Sequence, residues 1–242
     1  MTPTEIAIAL VAGRFPEAVA AFLGGSAATG ARLTSTSDLD IVVVREDGAA
    51  VFHETTTFQG WLVELFVHTP SSFQRYWNLD AAGRRPPLLR MCAEGVPLVS
   101  VGGGAERVRT EARRRLAAGP PPLTESEWAA RRYGLSDLLD DLSDASRGPE
   151  LPFIANAVLT ATCEMALLAE GRWLGTGKWL ARELERLDVG LLQEVTVAHA
   201  AAIAGDSRPL ADIAARALAH VGGPLSIGYH ADGQLPAGVP AQ

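Results

Sequence analysis

The sequence predicts an α+β chain. A small mixed-sheet domain spans residues 1–118, a linker 119–123, an all-helical domain 124–221, and a Gly- and Pro-rich loose tail 222–242. Three observations carry this reading. Apolar runs of strand length, bounded by turn residues, alternate with helical patterns as far as residue 118. Gly119-Pro120-Pro121-Pro122 then interrupts every periodicity. Beyond it the apolar spacing is helical throughout. With 48% hydrophobic and 20% charged residues over 242 positions, the chain can bury a full core and is too apolar for disorder.

The elements follow in order. Thr2 caps the first helix, Pro3 suits its first turn, and Glu5 completes a capping box; Gly13 stops the helix. Ala18 to Leu23 reads as a strand that delivers Gly24-Gly25-Ser26, and Ala27 to Ala31 as a short helix. Asp38 to Arg45 is a second strand, and Asp47-Gly48 a turn. Val51 to Phe58 and Trp61 to His68 form a hairpin around Gln59-Gly60. Ser71 to Leu79 and Pro87 to Glu94 read as helices, and Gly95 to Val99 as a short strand. Ala105 to Ala118 is a basic helix whose arginines read first as a solvated face.

In the second half, Thr124 and Glu127 make another capping box for a helix to about Ser143. Asp137, Asp141 and Asp144 share one side of it, as a solvated face or as a rim for an amine-rich ligand. Pro152 opens a helix that ends near Gly171 and is apolar nearly all round, so it should be central. Asn156, Thr160 and Glu164 break that pattern at four-residue spacing, and such a seam must find partners or line a cavity. Thr176 is expected to cap a helix through Leu187 with Lys178 in its first turn, where the helix dipole opposes a cation. Such a lysine reaches out to solvent or waits for an anion. Leu191 to Ala204 and Leu210 to Ala219 complete the helices.

Composition narrows the function classes. A net charge of -7 weighs against non-specific nucleic-acid binding and suits a cationic ligand. Cys92 and Cys163 have no ligand spacing and read as core thiols in a reducing compartment. There is no charged-then-apolar leader pattern and no run approaching 18 apolar residues, so a cytoplasmic chain without a membrane partner is expected. The five histidines are scattered and suggest no competing metal motif.

The chemistry concentrates around the second strand. Side chains two apart on a strand share a face, so Asp38 and Asp40 point the same way, about 7 Å apart along it. Paired carboxylates on one side suit a divalent cation such as magnesium. Gly24 and Gly25 let backbone approach a bulky anion. Glu64 stands on an otherwise apolar strand with Leu62, Phe66 and His68, where an unpaired carboxylate is costly. It reads either as a sheet-edge acid near solvent or as a third ligand or base.

Gly25-Ser26, Asp38-x-Asp40 and Glu64 on a following strand resemble the nucleotidyltransferase superfamily typified by DNA polymerase beta and kanamycin nucleotidyltransferase. The third acid here is Glu where Asp is commoner. The resemblance covers roughly the first hundred residues. Gly177-Lys178-Trp179 is similar to a stretch in the helical domain of the aminoglycoside branch. The resemblance implies transfer of a nucleoside monophosphate from a nucleoside triphosphate, expected to be ATP, to a hydroxyl of a small-molecule acceptor such as an aminoglycoside-type antibiotic. It implies Mg2+ held by Asp38, Asp40 and Glu64, and triphosphate contacts from Gly25, Ser26, Lys178 and one arginine of the basic helix. Glu64 and Glu164 are both candidate general bases. Two rival expectations are nucleotidylation of protein or RNA in the antitoxin manner, and a nucleotide-sensing module without turnover.

Overall fold

The computed structural model describes residues 1–28, 37–145 and 148–231. The chain divides into two compact units, Met1–Pro121 and Pro122–Gln242. The fold class is α+β.

The first unit opens with α1 (Pro3–Arg14), where the Thr2–Glu5 capping box forms as its sequence predicts. Then come β1 (Ala20–Leu23), α2 (Gly25–Ala28), β2 (Leu39–Val44), β3 (Phe52–Phe58) and β4 (Trp61–His68). α3 (Pro70–Ala82), α4 (Pro87–Glu94), β5 (Val96–Ser100) and α5 (Gly104–Ala118) complete it. The short helix begins at Gly25, inside the expected turn, rather than at Ala27; its expected continuation to Ala31 runs outside the described residues.

The five strands form one sheet in the order β3-β4-β2-β1-β5. β2 and β4 run parallel, and the other neighbours are antiparallel. Alternation sends Leu39, Ile41 and Val43 of β2, and Val63, Leu65 and Val67 of β4, into one core with Ile6, Leu10 and Val11 of α1. Asp40 and Glu64 therefore stand on the other face. A slip of one residue in either strand would exchange acids for core residues, so burial of the apolar set fixes where the acids point. Around Glu64 that face is partly open to solvent, although Val42, Val44 and His68 further along it are buried. Leu62 is 45% exposed and Phe66 only half-buried, so the carboxylate does not carry the cost of an apolar enclosure.

α4 follows a chain segment in which Pro86 makes no side-chain cap. Asp80 of α3 takes that role from a distance, accepting from the Leu88 and Leu89 N–H groups at 3.1 and 3.3 Å. Burial pushes the Asp80 carboxyl up to about 6. At the end of β4, burial pulls the His68 imidazole down to about 4. The two groups act on stability in opposite directions. Between about pH 6.5 and 4 the unfolded chain protonates at His68 and the folded one does not, so acidification through that window is destabilising. Between about pH 6 and 3.8 the folded chain protonates first at Asp80, so acidification there is stabilising. Asp80→Asn should therefore raise stability at pH 8, by about 1–2 kcal/mol, and steepen the loss on acidification. Urea unfolding of both proteins from pH 8 to 4 checks this; parallel profiles would show that Asp80 is not the buried acid described.

The regular elements among the second unit's described residues are all helices: α6 (Glu125–Asp144), α7 (Leu151–Ala169), α8 (Lys178–Leu187), α9 (Val189–Ile203) and α10 (Arg208–His220). The Thr124–Glu127 capping box opens α6 as expected. α7 is long and apolar enough to cross a membrane by length and composition. Here Leu151, Ala155, Val158, Met165 and Leu167 belong to the core it shares with α6, α8, α9 and α10. Two expectations need correction. Thr176 does not cap α8; Gly177 holds that place with φ 55° and ψ −124°, a conformation a side chain resists, and makes no side-chain cap. The chain beyond Gly222 is not loose as far as Ala231. Arg132 donates to the Gly222 and Gly223 carbonyls at 2.7 Å, the Leu225 N–H donates to the Ser136 hydroxyl at 3.0 Å, and Tyr229 stacks on Tyr133. Residues 232–242 of the expected tail lie outside the described residues.

Candidate metal centre

Antiparallel pairing of β1 with β2 sets Leu23 opposite Ile41, so the chain leaves β1 beside the start of β2. The Gly24 N–H donates to the Asp40 carbonyl at 2.7 Å, continuing the ladder by one bond into the turn. Gly25 follows with φ +63°. A Cβ there would lie 1.9 Å from Asp40 Oδ2, so the turn backbone rests directly against the carboxylate. Glycine is required at this position twice over, by the left-handed backbone and by the contact.

Parallel pairing of β2 with β4 sets Asp40 opposite Glu64. Asp38, just before β2, turns to the same side. One oxygen from each of the three carboxylates lies within 4.8 Å of the other two, and all three side chains are half-buried. Three carboxylates at this separation repel one another unless a cation stands between them. All-oxygen donors of this kind fit a hard divalent cation that completes its shell with water and substrate oxygens. Asp38, Asp40 and Glu64 are the one such group among the described residues.

His53 stands beside Glu64 at the edge of this group, although its scattered sequence position conceals it. Its Nε2 lies 3.8 Å from Glu64 Oε2, and its ring stacks on Phe66 at 4.6 Å. The hairpin register carries the signal that finds it. A two-residue Gln59-Gly60 turn pairs Phe58 with Trp61, hence Thr55 with Glu64 and His53 with Phe66, on one face. Ser26 is half-buried in α2, next to Gly25.

The remaining candidates belong to other helices. Glu164 on α7 is mostly buried, and Arg131 of α6 donates to it at 3.0 Å. Of the seam to which it belongs, Asn156 is exposed, and the Thr160 hydroxyl bonds back to the Asn156 carbonyl at 2.9 Å. The seam finds partners within the helices. Lys178 is exposed at the start of α8, and Asp137, Asp141 and Asp144 are exposed along α6. The basic helix α5 does not offer a row of uncommitted arginines. Arg107, Arg109 and Arg113 donate to the Gly102, Gly95 and Ala93 carbonyls, and Arg114 and Arg115 pair with Glu111.

No protein-family model matches the chain, and a search of curated proteins finds no match. Solved structures to which it is similar include a nucleotidyltransferase-like protein from Exiguobacterium sibiricum. The identity is 12%, covering 90% of this chain and 77% of that one, with a TM-score of 0.43.

Proposed function

We propose that the chain is a metal-dependent nucleotidyltransferase that moves a nucleoside monophosphate from a nucleoside triphosphate, ATP first, to a hydroxyl of a small-molecule acceptor. One observation carries the reading: three carboxylates converge beside a Gly-Gly-Ser turn whose backbone touches one of them. Such a juxtaposition puts an anion-tolerant turn next to a cation site, as a bound triphosphate requires. Asp38, Asp40 and Glu64 would hold Mg2+, which supplies neutralisation of the charge that builds on the phosphates.

The chain's own residues do the rest. The Ser26 hydroxyl and neighbouring N–H groups of the turn hold phosphate oxygens. A Glu64 oxygen accepts the proton of the acceptor hydroxyl as the hydroxyl oxygen attacks the α-phosphorus. The bond from the α-phosphorus to the bridging oxygen breaks, and pyrophosphate leaves with the electron pair. The net charge of -7 favours a cationic acceptor, an aminoglycoside-type antibiotic being the first class to try.

The test is incubation of the full chain with each labelled nucleoside triphosphate, magnesium and a panel of hydroxyl acceptors. Mass is read on the acceptor and on proteins in the mixture. A nucleoside monophosphate gained by a small molecule is the expected result. Gain by a protein instead would move the reading to protein nucleotidylation. Triphosphate binding without any transfer would make the chain a sensing module.

A further inference from the structure

A cavity lies within the helical unit, lined by residues to which the proposed transfer assigns no role. It measures about 390 Å³, within the range of small-molecule sites. Its floor is apolar: Cys163 and Ala166 of α7, Leu184 of α8, Val195 of α9, and Ile213 and Ala217 of α10. Thr162 also lines it, and the buried Thr162 hydroxyl has no hydrogen-bond partner among the described residues. Helix cores normally close such a space, because unfilled volume costs stability. Here four helices meet around it and leave it open.

The rim is charged and its sign is uneven. Glu170, Asp188, Arg216 and His220 stand around the opening. Arg216 is committed to Glu194, and His220 Nε2 lies 3.4 Å from Glu170. Asp188 accepts from the Leu191 N–H as the cap of α9. Two carboxylates, Glu170 and Asp188, face the opening, and its one guanidinium, Arg216, is already paired with Glu194 outside the lining, so the uncompensated charge at the rim is negative.

We propose that this cavity is a binding site for an amphiphilic cation, an apolar ring or short alkyl body carrying one ammonium group. The body fills the floor between α7, α8, α9 and α10, and the ammonium lies at the rim near Glu170 and Asp188. Charge complementarity selects the cation over a neutral or anionic molecule of the same shape.

Calorimetry with naphthylmethylamine, naphthylmethanol and naphthoate on the full chain tests the proposal. The amine should bind roughly five- to tenfold more tightly than the alcohol, the preference that two partly exposed carboxylates provide, and naphthoate most weakly. Glu170→Gln combined with Asp188→Asn should remove the preference and leave alcohol binding in place. Asparagine still caps α9, so the fold is kept. Ala166→Phe should remove binding of all three probes by filling the floor; circular dichroism and the urea midpoint show whether it folds. Equal affinity for the three probes, tighter naphthoate, no binding of any probe, or an unchanged preference in the double variant would each overturn the assignment. These measurements do not involve nucleotide, so their outcome is independent of the transfer reaction.

Discussion

Gly25→Ala is expected to reduce transfer at least about a hundredfold, as much as the loss of a metal ligand itself. The reasoning is geometric. The new methyl would have to occupy the position now 1.9 Å from Asp40 Oδ2, far inside van der Waals contact. The backbone at φ +63° adds a cost of about 1–2 kcal/mol for any residue with a Cβ. Either the Asp40 carboxylate rotates away from Asp38 and Glu64 or the turn shifts off β2, and each destroys the convergence. Asp40→Asn should match this loss by chemistry rather than by shape, since it keeps the volume and removes the charge. Gly24→Ala is the informative control. Its Cβ would meet the Met91 side chain at 2.7 Å, which is flexible and belongs to α4, away from the acids. That variant should lose stability and keep most of its turnover. Turnover, calorimetric Mg2+ affinity and urea midpoint for the three proteins make the comparison. Near-normal turnover in Gly25→Ala would show that Asp40 is not held for catalysis by the turn.

Much of this centre is legible in the sequence. Period-two alternation placed Asp38 and Asp40 on one face, and the Gln59-Gly60 turn set the hairpin in register. Short-range signals of this kind survive folding because each depends on residues a few positions apart. The misses depend on contacts distant in sequence. Pairing of β4 parallel to β2, rather than only to β3, is what sets Glu64 opposite Asp40, and no local pattern encodes it. Arg131 lies 33 residues from Glu164, and Ser136 lies 89 residues from Leu225. The Gly-Pro composition after Gly222 describes a chain with no helical preference. It does not say whether side chains elsewhere bind that chain's carbonyls, as Arg132 does. Thr176 failed as a cap for a local reason: Gly177 can adopt a backbone conformation that starts the helix one residue later.

Glu64→Gln is expected to lose turnover by about a hundredfold or more and to raise the magnesium requirement, while Glu164→Gln leaves both nearly unchanged. A base must first be within hydrogen-bond reach of the proton it takes, about 2.6–3.2 Å directly or through one water. Glu64 is the carboxylate placed to offer that reach to a hydroxyl bound at the acid trio, because its oxygen lies within 4.8 Å of oxygens on Asp38 and Asp40. Glu164 is the second candidate, suggested by its place on a buried helix. It is engaged by the Arg131 guanidinium, which donates to its Oε2 at 3.0 Å, a charge-assisted pair that ties the side chain to α6. Removing it should therefore appear as a stability change. Leaving Arg131 facing a neutral amide should cost about 1–3 kcal/mol in urea unfolding. Magnesium dependence separates the two duties open to Glu64. A ligand lost to glutamine raises the concentration needed for half-maximal rate, whereas a base lost leaves that concentration alone and lowers the plateau. Turnover of both variants across magnesium concentration and pH decides the matter. If Glu164→Gln abolishes transfer at unchanged stability while Glu64→Gln is nearly silent, the helical unit supplies the base and Arg131 is its partner in catalysis rather than in folding.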